Sequence, residues 1–321
     1  MRAAVALGER GRGRTAPNPN VGCLVVREGR VVGRGWTQPG GRPHAEAMAL
    51  LEAGEAARGA TLYVTLEPCA HDSARGPACA DLIALAAPAR VVVALPDPDP
   101  RTNGRGLERL RSARIEVEVG AAAAEAGRSM AGFLMRTRLG RPFVTLKLAL
   151  SLDGRIALAS GESRWITGEA ARAHVHLERA RADMILVGRG TFEADSPRLD
   201  VRLEGLEDRS PARAVLTRGE APEGWTALRS PQDVSALEGV NDLFVEGGAG
   251  AASAFLAADL VDRLLLYRAP ILIGAGKPAL GDIGLASLAD AHGRWRLHDR
   301  RPLGDDLLEI FDRIRDPLRS G

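Results

Sequence analysis

The most constraining feature of this chain is a set of four side chains that must meet although the sequence scatters them between His44 and Cys79. His44-Ala45-Glu46 opens the stretch, Pro68-Cys69 follows, and Cys79 closes it. One imidazole and two thiols suit a catalytic zinc site, in which three protein ligands hold the metal and a fourth position stays open for water. Zinc lowers the pKa of such a water from about 9 towards about 7, and Glu46 is the carboxylate placed to take its proton. To converge, the chain must return twice to one point. His44 opens a segment of helical periodicity running to Ala57, Thr61 to Leu66 reads as a strand, and Cys79 lies near the start of a helix over Pro77 to Ala86. A helix N-terminus favours thiolate over thiol. His44 and Glu46, two residues apart, can share a site only in a first turn, because mid-helix they would diverge. Taken singly, His-Ala-Glu is an ordinary helix start and Pro-Cys a strand end with a core cysteine. Together and in this order they read as a metal site. His71, between the cysteines, reads as a substrate contact, with a replacement ligand or a solvated side chain as the alternatives.

Around this stretch strands alternate with helices, which argues an α/β fold. Residues 1–10 read as a helix, and Val21 to Val26 with Val31 to Trp36 as a hairpin around Glu28-Gly29. Cys23 lies among apolar residues and reads as core packing. A strand from Arg90 to Leu95, a helix from Gly104 to Ser112, a strand from Ile115 to Val119 and a longer helix from Ala121 to Arg136 follow. At 321 residues two domains are expected. The break falls near Thr137 to Pro142, giving domains 1–140 and 141–321.

The second domain opens on a strand, Phe143 to Leu150, with Val144, Leu146, Leu148 and Leu150 on one face. Lys147 lies on the other. Lys147 and Lys277 are the only lysines in a chain whose cations are otherwise arginine, and an exposed strand lysine is the plain alternative. Ala171 to Arg181 reads as a helix with His174 and His176 on a solvated face, and Met184 to Val187 as a strand. A strand from Asp242 to Glu246, a turn over Gly247-Gly248-Ala249-Gly250 and a helix from Ala251 to Ala258 make either a phosphate site or a simple tight turn. Gly11-Arg12-Gly13-Arg14-Thr15-Ala16 follows a helix rather than a strand and is set aside as a dinucleotide fingerprint. Later strands, Arg263 to Tyr267, Trp295 to Leu297 and Leu307 to Phe311, exclude a plain doubly wound sheet.

Three cysteines are no disulfide framework. No apolar run reaches the roughly 18 residues of a membrane span, and no signal peptide is legible, so a cytoplasmic location is expected. A net charge of +2 without a dense basic block argues against a nucleic-acid partner.

The motifs Pro17-Asn18-Pro19-Asn20-Val21-Gly22, His44-Ala45-Glu46 and Thr65-Leu66-Glu67-Pro68-Cys69 resemble the deaminase half of the bifunctional riboflavin-pathway deaminase/reductase family. They also follow the H-x-E…P-C-x-x-C signature of zinc deaminases, except that nine residues separate the two cysteines. The resemblance implies a cytidine-deaminase-like fold, His44, Cys69 and Cys79 as zinc ligands, Glu46 as proton shuttle, and Asn20 near the pyrimidine. The loop Ala70-His71-Asp72-Ser73-Ala74-Arg75-Gly76-Pro77-Ala78 departs from the family's usual ending and is a residue longer.

Residues 143–311 resemble the reductase half, of dihydrofolate-reductase-like fold. The matches are Leu146 to Gly154, Ala159 to Thr167, Ile185 to Thr191, Asp195-Ser196-Pro197 and Val245 to Gly248. The resemblance implies NADPH against Ala149, Trp165, Thr191 and Asp195 and on a turn with Gly248, Ala249, Gly250 and Ala251. It places the ribosyl phosphate at Lys147, Ser163, Arg179, Leu199, Arg202 and Glu246, with Lys147 a catalytic candidate. Where the family commonly has Leu-Asp-Ser, this chain has Leu216-Thr217-Arg218, so Arg218 is expected to pair with the 2′-phosphate of NADPH.

The reading is a homo-oligomeric enzyme that deaminates a phosphorylated diaminopyrimidinone with zinc, then reduces its ribosyl group to ribityl with NADPH. Its rivals are an active deaminase with a degenerate reductase domain, a nucleic-acid-editing deaminase, and a structural-zinc protein with a ligand-binding module.

Overall fold

A computed structural model describes residues 1–71 and 75–315. The chain divides into two compact units between Arg141 and Pro142.

The first unit is a five-stranded sheet with flanking helices, in the order β2-β1-β3-β4-β5. The strands are β1 (Gly22–Arg27), β2 (Arg30–Trp36), β3 (Thr61–Val64), β4 (Arg90–Val93) and β5 (Glu116–Val119). β1 runs antiparallel to both neighbours, and β3, β4 and β5 are parallel. The helices are α1 (Arg2–Gly8), α2 (Ala45–Ala53), α3 (Cys79–Ala86), α4 (Arg105–Ser112), α5 (Ala123–Ser129) and α6 (Ala131–Leu139). What places α2 is a pair of glycines on β2. A Cβ on Gly33 would meet Ala49 O at 2.1 Å, and one on Gly35 would meet Ala45 O at 1.9 Å. Only glycine lets the helix backbone come so close, and buried Ala45, Ala49 and Ala53 complete the seam. The helix that starts at His44 is thereby pressed onto the sheet.

Two expectations need correcting here. The helix read to Ala57 ends at Ala53, because Gly54 has a φ of +51° and a 3₁₀ turn follows. The helix read over 121–136 is two, α5 and α6, broken at Met130 (φ −103°, ψ 21°). Gly127 and Ser129 are weak helix formers, and burying Met130 in the core favours the kink.

The second unit is built on an eight-stranded sheet ordered β10-β9-β8-β11-β6-β12-β15-β14. Its elements are β6 (Phe143–Leu150), β7 (Arg155–Ala157), α7 (Glu169–Ala180), β8 (Met184–Gly188), α8 (Arg189–Asp195), β9 (Ala212–Leu216) and β10 (Thr226–Leu228). There follow β11 (Asp242–Val245), α9 (Ala249–Ala257), β12 (Arg263–Arg268), β13 (Lys277–Pro278), β14 (Trp295–Leu303) and β15 (Asp306–Arg313). β15 and β14 join antiparallel at one edge, and the other strands of this sheet are parallel. β6 alternates as its sequence requires: Val144, Leu146, Leu148 and Leu150 pack with Val245 and Phe255 on one face. Ile185, Phe244, Leu265 and Tyr267 pack against Ala171 and Val175 of α7 on the other. β7 and β13 form a separate two-stranded ribbon.

The turn read over 247–250 is shorter than expected. Helix α9 already begins at Ala249 with Gly248 as its N-cap, so Ala249, Gly250 and Ala251 form its first turn. The solvated histidines are also corrected. His174 Nδ1 lies 2.8 Å from Tyr267 Oη, and His176 Nδ1 accepts from the backbone of Arg202 at 3.2 Å. Among the described residues no helix is long and apolar enough to cross a membrane.

Candidate functional site

In the first unit three chain segments end at one point. His44 is the N-cap of α2, Cys79 is the first residue of α3, and Cys69 lies in the loop after β3. Their ligand atoms all lie within 4.8 Å of one another. His44 Nδ1 is 3.3 Å from Cys79 Sγ and 3.6 Å from Cys69 Sγ. Tetrahedral zinc, with Zn–N about 2.0 Å and Zn–S about 2.3 Å, requires about 3.5 Å between such atoms. The two distances from His44 therefore fit the metal. Among the described residues this cluster has three members, which leaves a coordination position open.

The surroundings prepare the ligands. The Cys79 thiol and backbone N–H both donate to Cys69 Sγ and, with His44 adding, bring Cys69 down to about 4. Cys69 is the readier thiolate, while the bond to Cys69 and burial push the Cys79 thiol up. Glu46 sits in the first turn of α2, 3% exposed. Burial pushes its carboxyl up to about 7, while His44 pulls the other way. A carboxyl near 7 both takes and returns a proton at neutral pH.

Glu67 was not singled out by sequence, yet it clamps the site. Its buried carboxylate accepts from the backbone N–H groups of Asp97 (3.2 Å), Gly104 (3.1 Å), Gly106 (3.0 Å) and Leu107 (3.3 Å). Gly106 fits because a Cβ there would lie 2.1 Å from Pro68 O. The loop before α4 is thereby fixed behind Cys69. It carries Asp97, which burial pushes up to about 6, and Thr102, whose hydroxyl lies 3.4 Å from His71 Nδ1. His71 stands outside the three-residue ligand cluster. Asp72, Ser73 and Ala74 of the same loop lie outside the described residues.

Asn20 is buried just before β1, at the sheet end from which Cys69 and His44 also emerge. Its amide nitrogen is engaged by Gly8 O (3.4 Å) and Ser129 Oγ (3.1 Å), and the Ser129 hydroxyl donates to Glu9.

In the second unit a charged cluster forms where β6, β11 and α7 meet. Arg179, in the last turn of α7, donates twice to Glu246, from Nε at 2.6 Å and Nη2 at 3.0 Å. Lys147 Nζ lies 3.9 Å from the same carboxylate. Lys147 is no exposed strand lysine: its side chain is 20% accessible, and burial lowers its pKa against the pull of Glu246. Burial alone would raise Glu246, but Arg179 and Lys147 hold it below the usual range. Arg179 also donates to Asp200 O at 3.0 Å, and Arg202 Nε lies 3.5 Å from Asp200 Oδ1. Leu199 puts its side chain into the core, so only its backbone can face a ligand.

Thr191 Oγ1 accepts from Gly248 N at 3.0 Å, tying α8 to the start of α9. Ala149 shares the Lys147 face of β6. Trp165 is 67% exposed with Arg172 over its ring, Arg164 reaches Asp195 at 3.2 Å, and Ser163 lies half-buried nearby in sequence. Arg218 lines a cavity of about 680 Å³ together with Arg189, Arg229, Ser230 and Ala254.

Residues 1–95 match the cytidine and deoxycytidylate deaminase zinc-binding region, and residues 142–231 and 232–308 match the RibD C-terminal domain. The riboflavin biosynthesis protein RibD of Escherichia coli K12 is 40% identical over 356 residues, covering 96% of each chain. That of Aquifex aeolicus is 37% identical over 350 residues, covering 98% of this chain and 97% of its own. Among solved structures, Acinetobacter baumannii RibD aligns with a TM-score of 0.86 at 37% identity over 98% of both chains. A diaminohydroxyphosphoribosylaminopyrimidine deaminase/5-amino-6-(5-phosphoribosylamino)uracil reductase of Thermotoga maritima aligns at 0.88 and 31% identity, over 98% of this chain and 97% of that one.

Proposed function

Because the chain belongs to the RibD family of riboflavin biosynthesis proteins, we propose that its two sites act in turn on one phosphorylated pyrimidine. The chain is a bifunctional enzyme, with a cytidine-deaminase-like domain that binds zinc and a dihydrofolate-reductase-like domain that binds NADPH. The substrate we assign is 2,5-diamino-6-ribosylamino-4(3H)-pyrimidinone 5′-phosphate. It loses ammonia at the first site, and its ribosyl group is reduced to ribityl at the second.

The observation that carries the first step is the convergence of His44, Cys69 and Cys79 beside buried Glu46. The three ligands would hold zinc, which makes water acidic enough to attack an aromatic ring carbon near neutral pH. Glu46 holds the proton taken from that water and passes it to the departing amine. Asn20, its nitrogen already engaged, offers its carbonyl oxygen to the pyrimidine. His71, steadied by Thr102, borders the pocket.

In the second domain NADPH supplies the hydride. Ala149, Trp165, Thr191, Asp195 and the first turn of α9 from Gly248 to Ala251 would bind it, with Arg218 on its 2′-phosphate. Lys147 and Glu246 face the sugar, and Ser163, Arg179, Arg202 and the backbone of Leu199 complete the substrate site. Arg179 and Arg202 suit a phosphate because guanidinium binds two oxygens at once. The buried, paired Lys147–Glu246–Arg179 cluster favours a working reductase over a degenerate one. The enzyme is further read as a cytoplasmic homo-oligomer without a nucleic-acid partner.

The test follows ammonia and NADPH together on the diaminopyrimidinone ribosyl phosphate, for wild type and Glu46→Gln. Wild type should give both signals. The variant should give neither, yet still oxidise NADPH on pre-deaminated substrate. Ammonia release from wild type without NADPH loss would refute the second assignment.

A further inference from the structure

A phosphorylated substrate brings two negative charges to the deaminase domain, and among the described residues there one half-buried arginine lacks a partner. Arg42 stands on the segment leading from β2 into α2, two residues before His44. It is half-buried, yet among the described residues its guanidinium makes no hydrogen bond or ion pair. Arg12 and Arg90, half-buried in the same unit, are paired with Glu9 and with Glu116 and Glu118. The Arg42 guanidinium lies against Gly76, in the loop between the two cysteine ligands: a Cβ built on Gly76 would be 3.2 Å from Arg42 Nη1. The same two segments are tied again by Arg75, whose Nη2 donates to Gly40 O at 2.8 Å. Arg42 is thus held between the strand–helix connection that delivers His44 and the loop that delivers Cys79. A partly desolvated guanidinium without a partner is costly unless a ligand completes it, and its fork of N–H donors matches phosphate oxygens.

We propose that Arg42 binds the 5′-phosphate of the deaminase substrate, and so selects the phosphorylated compound over the free riboside. This rests on the substrate assigned above. A guanidinium has no lone pair to offer zinc and does not exchange protons near neutral pH, so its contribution is to binding rather than to turnover.

The experiment compares ammonia release from the 5′-phosphate and from the dephosphorylated riboside, for wild type, Arg42→Ala and Arg42→Lys. Arg42→Ala should raise KM for the phosphate ester roughly 10- to 100-fold, the range of a lost charge-assisted hydrogen bond. Its kcat and its KM for the riboside should be unchanged, and Arg42→Lys should recover part of the loss. Inorganic phosphate, measured by calorimetry on the zinc-loaded protein with the reductase site blocked by NADPH and product, should bind wild type more tightly than Arg42→Ala. Equal losses on both compounds, a lower kcat on both, or no change would overturn the assignment. Wild type inert towards both compounds would defeat the substrate reading instead, and the calorimetric comparison would still decide Arg42.

Discussion

Arg179 and Glu246 form a two-point ion pair, Nε to Oε1 at 2.6 Å and Nη2 to Oε2 at 3.0 Å, that joins the end of α7 to the end of β11. The carboxylate also faces Lys147 Nζ at 3.9 Å, so one anion serves two cations. Glu246→Gln keeps the volume and removes the charge, leaving both cations to repel across a buried site. NADPH oxidation on deaminated substrate should fall by roughly 10- to 100-fold, as expected for losing a charge-assisted contact. Ammonia release should be unaffected. Reductase activity within twofold of wild type would make the pair a structural brace only.

The 2′-phosphate contact proposed for Arg218 would bear on cofactor choice. Two arginines of its cavity are already engaged: Arg189 Nε meets Glu193 at 2.7 Å, and Arg229 Nη1 donates to Arg218 O at 2.6 Å. The Arg218 guanidinium makes no ion pair or hydrogen bond among the described residues and is free for the 2′-phosphate. Arg218→Ala should cut the preference for NADPH over NADH by about tenfold, mostly through KM for NADPH. An unchanged ratio of the two kcat/KM values would exclude the role.

Metal removal should separate the two activities. Dialysis against a strong chelator should abolish ammonia release and leave NADPH oxidation on deaminated substrate intact, with zinc restoring the first. Metal analysis should find one zinc per chain in wild type and much less in Cys79→Ser. Full zinc in that variant would mean that Cys79 is no ligand.

His174 should give the reductase domain an acid-sensitive stability. Arg301 Nη2 lies 3.0 Å from His174 Nε2 and can only donate, so this nitrogen accepts and Nδ1–H faces Tyr267. Burial, with Arg301 and Arg181, lowers the pKa of His174 below its ordinary value, Glu178 opposing. The unfolded chain then binds a proton near pH 6.5 that the folded chain refuses. Stability is full above that pH and declines as pH falls towards the folded value, by at most about 1.4 kcal/mol per pH unit. His174→Asn should flatten the fall in Tm between pH 7 and 5 without removing it, since His176 is lowered by burial as well. Parallel Tm curves would exclude His174 as the cause.

What was legible beforehand follows from how local the signals are. β6 matches its expected bounds because its alternation is carried by adjacent residues, Val144 to Leu150. The clustering of His44, Cys69 and Cys79 could be read because metal chemistry restricts ligand types and helix starts restrict their places. The start of α9 was misplaced because Gly247-Gly248-Ala249-Gly250 has the composition of a turn, whereas the helix is set by a contact with Thr191 on another element. The same holds for Glu67, whose four backbone donors come from residues 30 to 40 positions away. Nor could His174 be told from a solvated residue without Tyr267, which arrives on β12.

The orientation of Asn20 is set by a relay of the same non-local kind. Glu9 accepts the Ser129 proton, which leaves the Ser129 oxygen to accept from Asn20 Nδ2. With Gly8 O as a second acceptor, the amide has one favourable flip, which leaves its carbonyl oxygen for the pyrimidine contact proposed above. An acceptor there selects a ring N–H or amino group and disfavours a ring carbonyl. Ser129→Ala removes one acceptor and frees the flip, which should cost about 1 kcal/mol, a KM rise of roughly fivefold in deamination with kcat little changed. Asn20→Asp offers only acceptors to Ser129 and Gly8 O and should be far worse than Ser129→Ala. If Asn20→Asp instead deaminates as well as wild type, the amide nitrogen has no orienting role, and the relay through Ser129 to Glu9 is packing alone.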